Sequence, residues 1–197
     1  MATHSRRNRL LAYPLAIGIV GGAFLGPSIA RADESPAQQR EEITQMASKT
    51  LAELYRSVPS AKGAVKSAPG YGVFSNFGMK ILVLGTGKGQ GVVINKSTQK
   101  KTFMKMIQLG GGLGIGAKKF KLVFVFDNVD AINAFVNSGW EFGGTAEAAA
   151  KWGEKGGAFE HAVSVMPGVW VYQLTDKGVA ADIMLKGTKY YKDDDLN

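Results

Sequence analysis

The 197-residue chain contains no cysteine. That removes disulfides, thiolate metal ligands, a cysteine nucleophile and an N-terminal lipid anchor on cysteine. Histidine is nearly as scarce: beyond residue 32 only His161 remains. A lone histidine beside Glu160 is ordinarily a surface or satisfied polar residue. Neither a G-x-S-x-G elbow nor an H-E-x-x-H zinc motif occurs. Asp127 and Asp130 flank a helix start, where capping and the helix dipole account for carboxylates. Asp193, Asp194 and Asp195 form a terminal run expected to be too mobile for a built metal site. The residues therefore give no basis for an enzyme, a metal centre or a cofactor.

Also missing is an unbroken apolar run of the ~20 residues that a membrane-spanning helix requires. The stretch from Leu10 to Leu25 comes nearest, and Pro14 interrupts it. Arg6, Arg7 and Arg9 precede it, and Ala30-Arg31-Ala32 follows as a small-x-small site before Asp33 and Glu34. This order predicts a cleavable export signal over residues 1–32, cut after Ala32. Ser5-Arg6-Arg7 points to a twin-arginine route, whereas Arg9 in place of an apolar residue points to Sec, and the route stays open. The expected location is periplasmic or secreted, peripheral to a membrane. Residues 1–32 hold four arginines and no acid, so 20 basic and 16 acidic residues remain beyond them, a net of +4. A mildly basic chain without a nucleic-acid motif gives no reason to expect nucleic acid as a partner.

The remaining chain is long enough for one domain with a real core, expected over residues 33–192 with a frayed acidic end at 193–197. Ser35-Pro36-Ala37-Gln38 reads as a helix start with a capping box and proline in the first turn. Ile43, Met46, Ala47, Thr50, Leu51, Leu54, Tyr55 and Val58 then recur at helical spacing up to Pro59. The charges of this helix (Arg40, Glu41, Glu42, Lys49, Glu53, Arg56) sum to zero. Surface-seeking membrane helices are rich in Lys and Arg, so the expected role is packing on the helix's own domain. A short second helix is expected over residues 60–67. Strand patterns follow at 71–77, 80–84, 91–95, 102–109 and 122–126. In the fourth, Phe103 and Lys105 alternate with Met104 and Met106. A helix capped by Asp127 and closed by Gly139 comes next, and residues 145–152 are ambiguous between helix and strand. Strands at 163–165, 169–174 and 179–185 complete the pattern, the last two joined by an Asp176-Lys177-Gly178 hairpin signal.

Glycine is abundant, at 26 residues, and two runs of period two stand out: Gly85, Gly87, Gly89, Gly91 and Gly110, Gly112, Gly114, Gly116. In a strand, period two places each run on one face. A side-chain-free face permits tight coiling of the sheet, close packing of another layer, or entry of a ligand such as a lipid. The spacing fits neither a Rossmann fingerprint nor a Walker loop.

The amphipathic Leu51-Ala52-Glu53-Leu54-Tyr55 helix is followed by Gly70-Tyr71-Gly72-Val73-Phe74, then by 87–93 and the glycine block 110–118. Next come Val123-Phe124-Val125-Phe126, Gly139-Trp140-Glu141-Phe142-Gly143 and the Asp176-Lys177-Gly178-Val179 hairpin. In this order, over roughly residues 47–191, the chain resembles the SYLF domain family. The resemblance implies an α+β fold: an antiparallel, glycine-rich, barrel-like β-sheet with an N-terminal amphipathic helix and one or two further helices packed on it. It also implies strand near Thr145. Eukaryotic members bind membrane lipids, notably phosphoinositides, and some bind actin. An exported bacterial chain meets neither, which leaves membrane phospholipid as the expected ligand class. Lysines cluster at Lys96, Lys100, Lys101 and Lys105, and again at Lys118, Lys119 and Lys121. If the strands around Gly110 pair, Lys101, Lys105, Lys118, Lys119 and Lys121 form a patch for anionic headgroups, with Phe103 and Phe120 inserting beside them. The plain alternative is a solvated face whose lysines block edge-to-edge aggregation. The functional alternative is an envelope structural or interaction protein with a protein partner and no lipid ligand. A small-molecule carrier is a third reading and requires an enclosed apolar pocket by the glycine faces.

Overall fold

The computed structural model describes residues 34–76, 87–108, 119–141, 151–152, 159–180 and 188–197. The expected leader, the expected strand at 80–84, Gly85, the second glycine run, residues 145–150 of the ambiguous 145–152 stretch and residues 181–185 of the last expected strand lie outside them, as does Lys118.

Helix α1 (Pro36–Ser57) starts on the expected capping box: Ser35 Oγ accepts from the Gln38 amide, and Gln38 returns its side chain to the Ser35 backbone. Ile43, Ala47, Thr50 and Leu54 form its buried stripe. Pro59 then opens helix α2 (Pro59–Ser67), which buries Ala61, Ala64 and Val65. The chain continues through β1 (Gly70–Ser75), β2 (Gly87–Asn95), β3 (Lys100–Gln108) and β4 (Lys121–Phe126) to helix α3 (Val129–Ser138). Next are β5 (Trp140–Glu141), β6 (Lys151–Trp152), β7 (Val163–Met166), β8 (Val169–Thr175), β9 (Gly178–Ala180) and β10 (Thr188–Lys192). Asn128, not Asp127, caps α3: its Oδ1 accepts from the Ala131 amide at 2.7 Å, while the Asp127 amide donates to Gly168 O at 2.9 Å. Gly139 closes α3 as expected, at φ 65° and ψ 172°, a region open to glycine.

The described strands form one antiparallel sheet in the order β5-β10-β3-β2-β1-β4-β8-β7-β6, with β9 also paired to β8. Both faces are covered, which explains why Leu122 to Phe126 is an unbroken apolar run. Val123 and Val125 face α1 and α2, in a core with Val73, Val92 and Tyr172. Leu122, Phe124 and Phe126 face α3, in a core with Phe74, Met104, Met106, Phe135 and Tyr190.

The second core shows how far the sheet curls. Phe74 on β1 and Tyr190 on β10 lie three strand positions apart, ~14 Å across a flat sheet, yet their ring centroids are 4.9 Å apart. Phe124 on β4 reaches the same tyrosine at 5.3 Å. The sheet therefore wraps around the α3 face as a half-barrel. Gly89 and Gly91 lie on this concave face, in register with Met106 and with Phe74 and Met104. A Cβ on Gly91 would stand 2.6 Å from Phe74 Cγ, and one on Gly89 2.5 Å from the Ser75 carbonyl oxygen. What approaches these bare positions is the protein's own aromatic core. Burial in the sheet pushes the Tyr190 hydroxyl pKa well above its ordinary value. On the other face burial, then the Glu160 charge, raises Tyr172 to about 12.

Gly63 is the counter-example. It is exposed inside α2, and a Cβ there meets nothing within 4 Å. Gly63→Ala is expected to stabilise the domain by ~0.5–1 kcal/mol, through helix propensity and a less flexible unfolded chain. Urea unfolding midpoints check this.

The C-terminal residues are docked, which corrects the expectation of a frayed end at 193–197. Leu196 is 1% exposed in the core beneath α1, and its carbonyl accepts from Arg40 Nε at 2.8 Å. Asn197 donates through Nδ2 to Phe103 O and accepts through Oδ1 from the Phe103 amide, taking the place beside β3 just past the last β10 pair, Lys192 with Met104. The acidic run masked a single buried leucine and a side chain able to imitate a backbone. Strand β10, just before it, was not expected either.

Candidate functional site

Strands β3 and β4 do not pair, because β2 and β1 stand between them. The register nevertheless sets Lys121, Ser75, Gln90 and Lys105 in one row on the α1 face. The two lysines at its ends are ~14 Å apart by strand spacing, and each has a carboxylate. Lys105 Nζ meets Asp193 Oδ1 at 2.8 Å and Asp195 Oδ2 at 3.2 Å. Lys121 Nζ is hydrogen-bonded to Glu53 Oε2 on α1. Lys119 and Lys101 are exposed. Phe103 and Phe120 are 6% and 2% exposed and belong to the cores on opposite faces of the sheet. Neither ring is presented at the surface, so insertion of the two beside the lysines does not fit this geometry.

The Asp193 hydrogen bond, opposed by burial, raises the Lys105 pKa above its ordinary 10.5. Because the folded-state value is raised, the contribution of Lys105 to stability is complete below 10.5 and lost as pH climbs through the shifted pKa. The Asp193 side chain is 2% exposed and that of Asp195 is 82% exposed. Asp193→Ala is therefore expected to cost ~1.5–3 kcal/mol, as for a hydrogen bond to a charged group. Asp195→Ala should stay within ~0.5 kcal/mol. Thermal unfolding of the two variants separates a docked C-terminus from a frayed one, for which both losses would be negligible.

A groove of about 200 Å³ lies where α1, the entry to β4 and the β8–β9 turn meet, lined by Glu53, Lys119, Phe120, Lys121, Leu174, Thr175 and Asp176. Two ammonium groups and two carboxylates thus share a largely apolar depression.

Lys62 and Lys66, which join the expected Lys96, Lys100 and Lys101 cluster, escaped the reading by local clusters. Residues 54–126 carry 12 Lys and Arg and no Asp or Glu, a signal present in the sequence. At one end of the sheet the β2–β3 turn folds against the C-terminus of α2. Lys96 Nζ donates to Val65 O at 3.0 Å and to Lys66 O at 2.6 Å, and its amide donates to Pro69 O at 2.9 Å. An ammonium on the last carbonyls of a helix is favourable for the helix dipole. This contact brings Lys62 and Lys66, exposed on α2, to the same end as the exposed Lys100 and Lys101. Local reading could not join them, because the contact spans 30 residues of chain. The row Lys100–Asn95–Gly70–Phe126–Val169 marks this end. Val129 and Met166, each 39% exposed, stand beside it at the start of α3 and the β7–β8 turn. Asp127 and Asp130 are also on that side, whereas the exposed lysines of this end stand on the α2 side.

Residues 107–197 match the family model described as Las17-binding protein actin regulator, Ysc84. Beta cell expansion factor A of Aeromonas veronii is 36% identical over 159 residues, which cover 81% of this chain and 59% of that protein. The chain thus spans less than two thirds of that relative's length. The element order, the curled antiparallel sheet and the two matches agree with the resemblance of this chain to the SYLF family.

Proposed function

We propose that this chain is an exported, non-enzymatic protein of the cell envelope that binds anionic phospholipid through a basic surface. The surface comprises Lys62 and Lys66 on α2 with Lys96, Lys100 and Lys101 on the β2–β3 turn. The observation that carries the reading is the acid-free stretch 54–126, four of whose exposed lysines, Lys62, Lys66, Lys100 and Lys101, lie at the end of the sheet where α2 meets the turn. Each basic side chain near an anionic surface contributes ~1 kcal/mol, and the exposed Val129 and Met166 supply apolar contacts at the same end. Lys105 and Lys121 carry less of the attraction, since carboxylates already neutralise them. The neutral, inward-packed α1 has no part in it. Among the described residues no helix is long and apolar enough to cross a membrane, which is compatible with a peripheral protein. The family description names Las17 and actin. A leader over residues 1–32 would separate this chain from both, so neither is proposed as its partner.

Co-sedimentation of residues 34–197, one compact unit, with vesicles tests the reading. Binding is expected to rise with anionic lipid content and to fall steeply between low and physiological salt, as screening shortens the reach of each charge. Binding indifferent to both would sink it.

A further inference from the structure

We infer that the groove between α1 and the β8–β9 turn is a subsite for a phosphorylated primary amine, in the form of the phosphoethanolamine headgroup of a lipid. This inference rests on the phospholipid reading above, but it concerns other residues at the opposite end of the sheet. At about 200 Å³ the groove is smaller than the ~300–1,000 Å³ typical of drug-sized ligands. It therefore takes a headgroup and not an acyl chain.

The charges define the class of headgroup. Lys119 and Lys121 face Glu53 and Asp176 around the groove. A purely anionic ligand meets the two carboxylates unfavourably, and a simple cation meets the two ammonium groups unfavourably. A zwitterion satisfies both: its phosphate lies against Lys119 and Lys121, its ammonium against Glu53 and Asp176. The Lys121 and Glu53 side chains are only 20% and 31% exposed, so their charges are incompletely screened and act over a longer range than surface pairs. A phosphate that engages Lys121 draws it from Glu53, and the ligand's ammonium then replaces Lys121 at that carboxylate. The exchange conserves charge. The carboxylates accept hydrogen bonds from a primary ammonium, whereas a trimethylated one has no proton to donate. Phe120 and Leu174 line the groove beneath the charged groups.

The test is amide chemical-shift titration of residues 34–197 with O-phosphoethanolamine, phosphocholine and inorganic phosphate. The expected result is saturable shifts at Lys119, Lys121, Thr175 and Asp176, with phosphoethanolamine at least tenfold tighter than either other probe. Asp176→Asn, an exposed turn position, should erase that preference while leaving the unfolding midpoint unchanged. Equal affinity for the three probes, or no saturable shift at these residues, overturns the inference. Vesicles of fixed anionic content, with phosphatidylethanolamine exchanged for phosphatidylcholine, identify the source. Binding that depends on the ethanolamine lipid and loses that dependence in Asp176→Asn supports the headgroup. A soluble response with no such dependence assigns the groove to a free metabolite and overturns the lipid form. Failure at the groove leaves salt-sensitive adhesion through the α2 lysines unaffected, so the two readings fail separately.

Discussion

Gly91→Ala is expected to destabilise the domain by ~3 kcal/mol or more, at or beyond the upper end of the range for overpacked cores. The added methyl would be driven into the Val73 carbonyl oxygen and the Phe74 ring. The carbonyl belongs to β1, which is paired on both sides by β2 and β4, so it cannot retreat without breaking ladder hydrogen bonds. The ring cannot retreat either, since it packs edge-on against Phe124, Phe135 and Tyr190 with centroids 4.9–5.9 Å away. Against a total stability of ~5–15 kcal/mol, a loss of ~3 kcal/mol removes roughly a fifth to three fifths of it. Urea unfolding followed by tryptophan fluorescence measures it. A midpoint within ~1 kcal/mol of the parent would show that the concave face has slack, and the account of the glycine run would then be wrong.

Neutralising Lys62, Lys66, Lys100 and Lys101 together to glutamine is expected to weaken partitioning onto anionic vesicles by roughly three orders of magnitude. The estimate is ~1 kcal/mol for each of four side chains, at ~1.4 kcal/mol per factor of ten. Lys96 is left in place because its ammonium caps α2, and its loss would confuse binding with folding. All four substituted side chains are exposed, so the unfolding midpoint should barely change. The slope of affinity against salt should flatten as well, since fewer charges remain to be screened. Neutralising Lys49, Lys88 and Lys177, exposed elsewhere on the surface, serves as the comparison and should cost much less. Equal losses from the two sets would mean that net charge, and not a surface, does the binding.

The glycine tracts illustrate what was legible and what was not. Period two was enough to put Gly89 and Gly91 on one face, because strand geometry is local. Whether that face met a ligand, a helix or the sheet's own rings depended on curvature. Curvature became visible only in the contact of Phe74 with Tyr190, more than a hundred residues apart. The lysines divide in the same way. Their clusters were plain in the chain, but the proposed pairing of the runs around Gly110 failed, since β1 and β2 are inserted between β3 and β4. Lys105 and Lys121 acquired carboxylates from the C-terminus and from α1, partners 90 and 68 residues away.

Local sequence alone was enough for several elements: the capping box at Ser35, the stop at Pro59, the Gly139 closure, the hairpin at Asp176-Lys177 and the apolar run of β4. Each rests on backbone preferences or periodicities that a few neighbouring residues fix. Long-range packing settled where each lysine lies in the fold, that Phe103 and Phe120 point into opposite cores, and that the acidic end is docked. Those outcomes follow from strand order and sheet curvature, which are set by the simultaneous packing of both faces and not by any local stretch of chain.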